Sequence, residues 1–137
     1  MSTKIFVNLP VRDLAASKAF FTALGYRFDE NYTNDKAGCL VLGDDSYVML
    51  LVEPFFLSFT GKAIADTATS TEAIIALGED SRADVDRIGA AALAAGARPA
   101  KETEDRSSMY TRSFYDLDGH HWEIFHFGPP VDPDAQA

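Results

Sequence analysis

With 137 residues, 47% of them hydrophobic, and with ten Phe and one Trp, the chain can bury a real core as one domain and is too apolar for disorder. Its net charge of −9 argues against a nucleic-acid surface, which needs a Lys and Arg footprint for the phosphates. The same charge suits cationic or neutral small ligands, or serves solubility alone.

No apolar run approaches the roughly 20 residues of a membrane span, so no membrane partner is expected. The N-terminus enters a strand pattern directly, without a signal-peptide pattern. Cys39 is the only cysteine, which precludes an internal disulfide, and it lies in the apolar run Ala37–Leu42 as a buried hydrophobe. A reducing, cytoplasmic setting is the expectation.

Ile5–Val11 reads as a strand, with Phe6, Asn8 and Pro10 on one face and Ile5, Val7, Leu9 and Val11 on the other. Asp13 is an N-cap for a helix that runs to about Leu24, with Leu14, Phe20, Phe21 and Leu24 as its apolar stripe and Gly25 as its stop. Strands follow at Tyr26–Glu30, Ala37–Leu42 and Tyr47–Glu53, separated by turns at Asn34–Lys36 and Gly43–Ser46. Residues 54–72 read as a connector with one or two helical turns, in which Phe55, Phe56 and Phe59 cover a cleft or meet a partner subunit.

The pattern then restarts. Ala73–Glu79 is a strand, and Ser81 caps a helix with Val85, Ile88, Ala92 and Ala95 at helical spacing, stopped by Gly96. Strands near Arg98–Thr103, Tyr110–Tyr115 and His120–Phe127 follow, with polar turns at Glu104–Ser108 and Asp116–Gly119; 129–137 is a loose tail. The two halves share offsets: Gly25 to Gly96 is 96 − 25 = 71 residues, and Asp45 to Asp118 is 118 − 45 = 73. The expected fold is therefore α+β, a single domain over 1–128 made of two βαβββ modules, 4–53 and 73–128.

The opening VRDLAASKAFFTALGYRF and the closing DLDGHHWEIFHF, set in paired βαβββ modules, resemble the vicinal oxygen chelate superfamily over roughly Lys4–Gly128. That superfamily includes glyoxalase I, the extradiol dioxygenases, and the bleomycin and fosfomycin resistance proteins. The resemblance implies mixed sheets curled into a cup, a homodimer, and metal ligands that project inward from equivalent strand positions. Carried onto this chain, those positions are Phe6, Ile74, Glu123 and Leu50, with a one-residue slip putting Met49 in place of Leu50. Only Glu123 can ligate, and a divalent metal needs at least three protein donors. No cofactor is expected; a metal would have to draw on water or backbone oxygens.

Glu123 shares a strand face with His121 and Phe125, opposite Trp122, Ile124 and His126. Among aromatics its pKa would rise and it would serve as a general base; the competing reading is a structural carboxylate paired with an Arg or a hydroxyl. Asn8 either enters the same cavity or bonds to backbone. Arg112, with Tyr110 and Phe114 on its face, either binds an anionic group, pairs with Glu123, or sits at the surface. His120 and His126 lie six residues apart on one strand, roughly 20 Å, and cannot share an ion.

Three functions remain in view. The first is a small-molecule-binding protein with an aromatic-lined cup and an acidic character suited to a cationic guest. The second is a glyoxalase-type lyase or isomerase, or a dioxygenase with a reduced metal site, in which Glu123 removes a proton and Asn8 or Arg112 holds the oxyanion. The third is partner binding through Pro54–Phe59.

Overall fold

The computed structural model describes residues 2–106 and 108–128, so the expected tail at 129–137 lies outside the described residues. The chain divides into two compact units, Met1–Ser70 and Thr71–Ala137.

The first unit contains β1 (Ile5–Val11), α1 (Leu14–Ala23), β2 (Arg27–Phe28), β3 (Ala37–Gly43), β4 (Ser46–Val52) and the short α2 (Glu53–Leu57). Its sheet has the order β1-β4-β3-β2, with β1 and β4 parallel and the remaining pairs antiparallel. The Asp13 carboxylate accepts from the Ala16 amide at 3.0 Å, which opens α1 as the cap pattern requires. Leu14, Ser17, Phe20 and Phe21 then form the buried face of the helix.

The second unit repeats the plan with β5 (Ile74–Gly78), α3 (Arg82–Ala94), β6 (Arg98–Pro99), β7 (Glu104–Arg106), β8 (Met109–Tyr115) and β9 (His121–Phe127). The order is β5-β9-β8-β6, with β7 also on β8, and β5 and β9 are parallel. Ser81 Oγ accepts from the Asp84 amide at 3.1 Å, and Val85, Ile88, Gly89 and Ala92 are the buried face of α3. Both α1 and α3 are followed by a glycine with positive φ, 101° at Gly25 and 112° at Gly96, where a side chain would be strained.

Three boundaries differ from the sequence expectation. The strand expected over Tyr26–Glu30 shrinks to Arg27–Phe28, because the Asp29 carboxylate accepts from the Asn31 amide and starts a single 3-10 turn at Glu30–Tyr32. The strand expected over Arg98–Thr103 stops at Pro99, which has no N–H to donate, and the Lys101 amide bonds instead to Ser113 Oγ at 3.0 Å. The turn expected at Glu104–Ser108 is largely strand: Glu104–Arg106 pairs antiparallel with Met109–Thr111 of β8. β6 and β7 thus follow one edge of β8 as an interrupted strand.

Each sheet has one face against its helix. In the first, Leu9, Leu40, Val48 and Leu50 are buried there. A side chain at Gly38, in register with Leu50, would meet Leu14 of α1 and Phe28. In the second, Phe114, Trp122 and Ile124 play that part over Val85, Ile88 and Ala92. Full burial of each large side chain is worth about 1.5–3 kcal/mol.

Candidate ligand-binding face

Strand alternation and register decide which side chains face away from the helix. In the second unit, Ile74 pairs with His121, Ala76 with Glu123 and Gly78 with Phe125, while Ser113 and Tyr115 of β8 stand opposite Glu123 and His121. The helix-free face therefore carries His121, Glu123 and Phe125 in a row, flanked by Tyr115, Ser113 and Thr111. His121, Glu123 and Phe125 share one face, as the sequence pattern implied.

Around Glu123 the geometry is specific. Its side chain is 26% exposed, and its Oε1 lies 3.8 Å from Nε2 of His121, whose side chain is only 9% exposed. That Nε2 is buried and has no hydrogen-bond partner. The Tyr115 ring stands edge-on to the imidazole at 5.4 Å between centroids. On the other side, the Phe125 ring lies over Gly78, where an added Cβ would come within 3.1 Å of it. The relation of Tyr115 and Gly78 to Glu123 is set by cross-strand pairing, which no local sequence pattern encodes.

Arg112 and Tyr110 lie on the opposite face, in register with Ile124 and His126, and turn toward α3. The Tyr110 hydroxyl donates to Asp86 Oδ1 at 2.5 Å, and this bond pushes the phenol pKa up. Arg112 Nη1 donates to the Asp86 carbonyl at 3.2 Å and sits 3.5 Å from its carboxylate. Gly89 leaves room for this guanidinium, because a Cβ there would lie 2.7 Å from Arg112 Nε. Arg82 pairs with Asp105 at 2.7 Å and lies 4.9 Å over the Tyr110 ring. Arg112 is thus held by the helix and does not pair with Glu123. A glycine inside a helical pattern was the available sign of this close approach.

The closing motif is mainly an internal clamp. Asp116 Oδ1 accepts from the amides of Asp118 (2.9 Å) and His120 (3.0 Å), and Oδ2 accepts from Trp122 Nε1 at 2.8 Å. Burial pushes the Asp116 carboxyl above its ordinary range, while His120, the Trp122 N–H and the two amides pull it back. His120 Nδ1 meets Glu72 Oε1 at 2.6 Å, which ties the strand-side end of the connector to this turn. His126 Nδ1 meets the Glu79 carbonyl at 2.9 Å.

In the first unit, Phe6 pairs with Tyr47 and Asn8 with Met49, so these four share the helix-free face. Phe6 and Tyr47 stack at 4.8 Å with 10° between planes, and Lys4 lies 5.8 Å from the Tyr47 centroid. Asn8 is exposed and its amide donates to the Phe6 carbonyl at 3.1 Å. Leu50 belongs to the other side: it is 0% exposed and packed on the helix face. Phe6 stands opposite Tyr47 and Ile74 opposite His121, so the counterpart of Glu123 is Met49 and not Leu50.

The positions to which the resemblance pointed are, by strand register, Phe6, Met49, Ile74 and Glu123. Phe and Ile have no lone pairs and a thioether is a soft, weak donor, so this set does not fit a divalent ion held by hard ligands. Among the described residues no group of three or more His, Cys, Asp or Glu is placed to hold one elsewhere. The lone thiol, Cys39, is 1% exposed, and burial pushes its pKa up.

Residues 3–43 match the family described as bleomycin resistance protein-like N-terminal. Comparison with curated proteins gives no match. Among solved structures, a hypothetical protein from S. aureus is similar at 28% identity and a TM-score of 0.79, covering 92% of this chain and 95% of the other. A glyoxalase/bleomycin resistance protein/dioxygenase family enzyme from Burkholderia phytofirmans PsJN matches at 19% identity and TM-score 0.74, over 92% and 99% of the two chains. A glyoxalase/bleomycin resistance protein from Albidiferax ferrireducens T118 follows at 20% identity and TM-score 0.67, over 88% and 95%. The match on the first module and the likeness over nearly the whole chain agree with the vicinal oxygen chelate resemblance, and the protein has the glyoxalase/bleomycin resistance/dioxygenase fold.

Proposed function

We propose that the protein binds a small molecule in an aromatic-lined cup without the family's full metal site, and that the helix-free face of the second sheet is its principal wall. The observation that carries this reading is the row His121, Glu123 and Phe125, flanked by Tyr115. A partly exposed carboxylate stands there between His121 and Phe125 along the strand, next to a buried nitrogen that lacks a partner. Sites of this kind use apolar walls for affinity and a few polar groups for orientation. A cytoplasmic homodimer belongs to the same proposal. The dimer part is supported by exposed Ile5, Phe6, Ile74, Met109 and Phe127, apolar side chains that a second subunit would cover.

Thermal shift and calorimetry across neutral and cationic aromatic compounds test the reading. At least one class should raise the unfolding midpoint, and Phe125→Ala should remove the effect; a panel without any binder overturns it. A lyase or isomerase reading, with Glu123 as the base, draws on the same carboxylate. It is weaker, because Arg112, one of its two oxyanion candidates, is held by Asp86 on the other face. Its test is solvent-deuterium exchange next to a substrate carbonyl, abolished by Glu123→Gln.

A further inference from the structure

We propose that the helix-free face of the second sheet takes a protonated amine, its N–H groups shared between the Glu123 carboxylate and His121 Nε2. The amine's apolar substituent lies against Phe125 and Tyr115. This inference rests on the small-molecule reading above and names the chemistry of the ligand.

The starting point is the orphaned imidazole nitrogen. A buried ring nitrogen without a partner is costly, and such atoms are few in native proteins. Its neighbour Glu123 Oε1 is 3.8 Å away, too far for a hydrogen bond between the two. Once the partly exposed Glu123 side chain turns aside to uncover that nitrogen, one donor nitrogen at about 2.8–2.9 Å from each bridges them.

The ligand must supply the hydrogens. An ionised carboxylate only accepts, and a neutral imidazole that carries its proton on Nδ1 offers a lone pair at Nε2. An ammonium group has two or three N–H bonds to share, whereas a carbonyl or an anion has none. The rings favour the same charge, since aromatic faces attract cations.

Charge on the strands agrees. Along the helix-free positions of β5, β8 and β9, Glu123 is the one formal charge, and at the sheet's edge β7 adds Glu104 and Arg106, in register with Thr111 and Met109 and 3.7 Å from each other. Arg112 faces α3, and Arg98, in register with Tyr115 on the edge strand, is exposed. The net charge of −9 favours arrival of a cation from solution.

The test is calorimetry at pH 7 with benzylamine, benzyl alcohol and benzoate on the full chain and on Glu123→Gln and His121→Phe. Benzylamine should bind roughly tenfold tighter than benzyl alcohol, the size of one charge-assisted hydrogen bond, and benzoate weaker than both. Each variant should erase the amine's margin, and His121→Phe should raise the ligand-free unfolding midpoint because the orphan is gone. In the unmodified protein, benzylamine should shift the 15N resonance of His121 Nε2, which benzyl alcohol should leave near its free value.

Equal affinity for the three compounds overturns the inference, as does an amine margin that survives both substitutions, or an unmoved Nε2 resonance. If the neutral or anionic compound binds as well as the amine, the small-molecule reading stands and the amine assignment falls. If no compound of the wider panel binds, both fall.

Discussion

β4 and β9 occupy the same place in their sheets, each parallel to its unit's first strand and antiparallel to the strand before it in sequence, β3 or β8. Toward the helices both are apolar: Val48 and Leu50 in one, Trp122 and Ile124 in the other, all 0% exposed. On the helix-free faces they diverge, with Tyr47, Met49 and Leu51 against His121, Glu123 and Phe125. The packed faces carry the fold and tolerate little, while the other faces are free to differ. A repeated scaffold can therefore keep its architecture while the two halves carry different side chains on their helix-free faces.

Substitutions on the packed faces should break this comparison most severely. Trp122→Ala should cost about 3–5 kcal/mol in urea denaturation, because it opens a cavity and also strands Asp116 Oδ2. Leu50→Ala should cost about 2–5 kcal/mol. Met49→Ala, on the helix-free face, should cost no more than about 1 kcal/mol. The reverse order would restore Leu50 as the counterpart of Glu123.

Gly89→Ala tests the claim that Arg112 belongs to the helix. A Gly-to-Ala change inside a helix ordinarily gains about 0.5–1 kcal/mol. Here the new Cβ meets the guanidinium, so a net loss of about 1–2 kcal/mol is expected by thermal unfolding.

The smallest effect concerns Asp116. Its folded pKa is raised by burial, so the native state holds the proton more tightly than the unfolded chain. Its contribution to stability should therefore fall as pH rises from about 3.9, the unfolded value, through the folded value, and then level off. Asp116→Asn should flatten that part of the midpoint-versus-pH curve while losing the Trp122 bond.

Local signals were legible in the sequence. Asp13, Ser81, Gly25 and Gly96 marked the helix ends because caps and stops act within a few residues of chain. The shared face of His121, Glu123 and Phe125 followed from alternation alone. What depended on pairing across strands was less visible. An offset of 73 taken from the turn aspartates selects Leu50, whereas strand register gives 123 − 49 = 74 and selects Met49. Alternation groups Arg112 with Tyr110 and Phe114, but only the β8–β9 register, with Ser113 opposite Glu123, puts that group on the far side. The partners Asp86 and Glu72 come from α3 and the connector, at sequence distances that no local pattern encodes.

The most direct measurement is an amide and side-chain chemical-shift map of the 15N-labelled protein during titration with benzylamine. The expected result is saturable shifts centred on Tyr115, His121, Glu123 and Phe125. Shifts confined to Asp86, Tyr110 and Arg112 would place binding on the helix side and contradict the assignment of the site to the helix-free face.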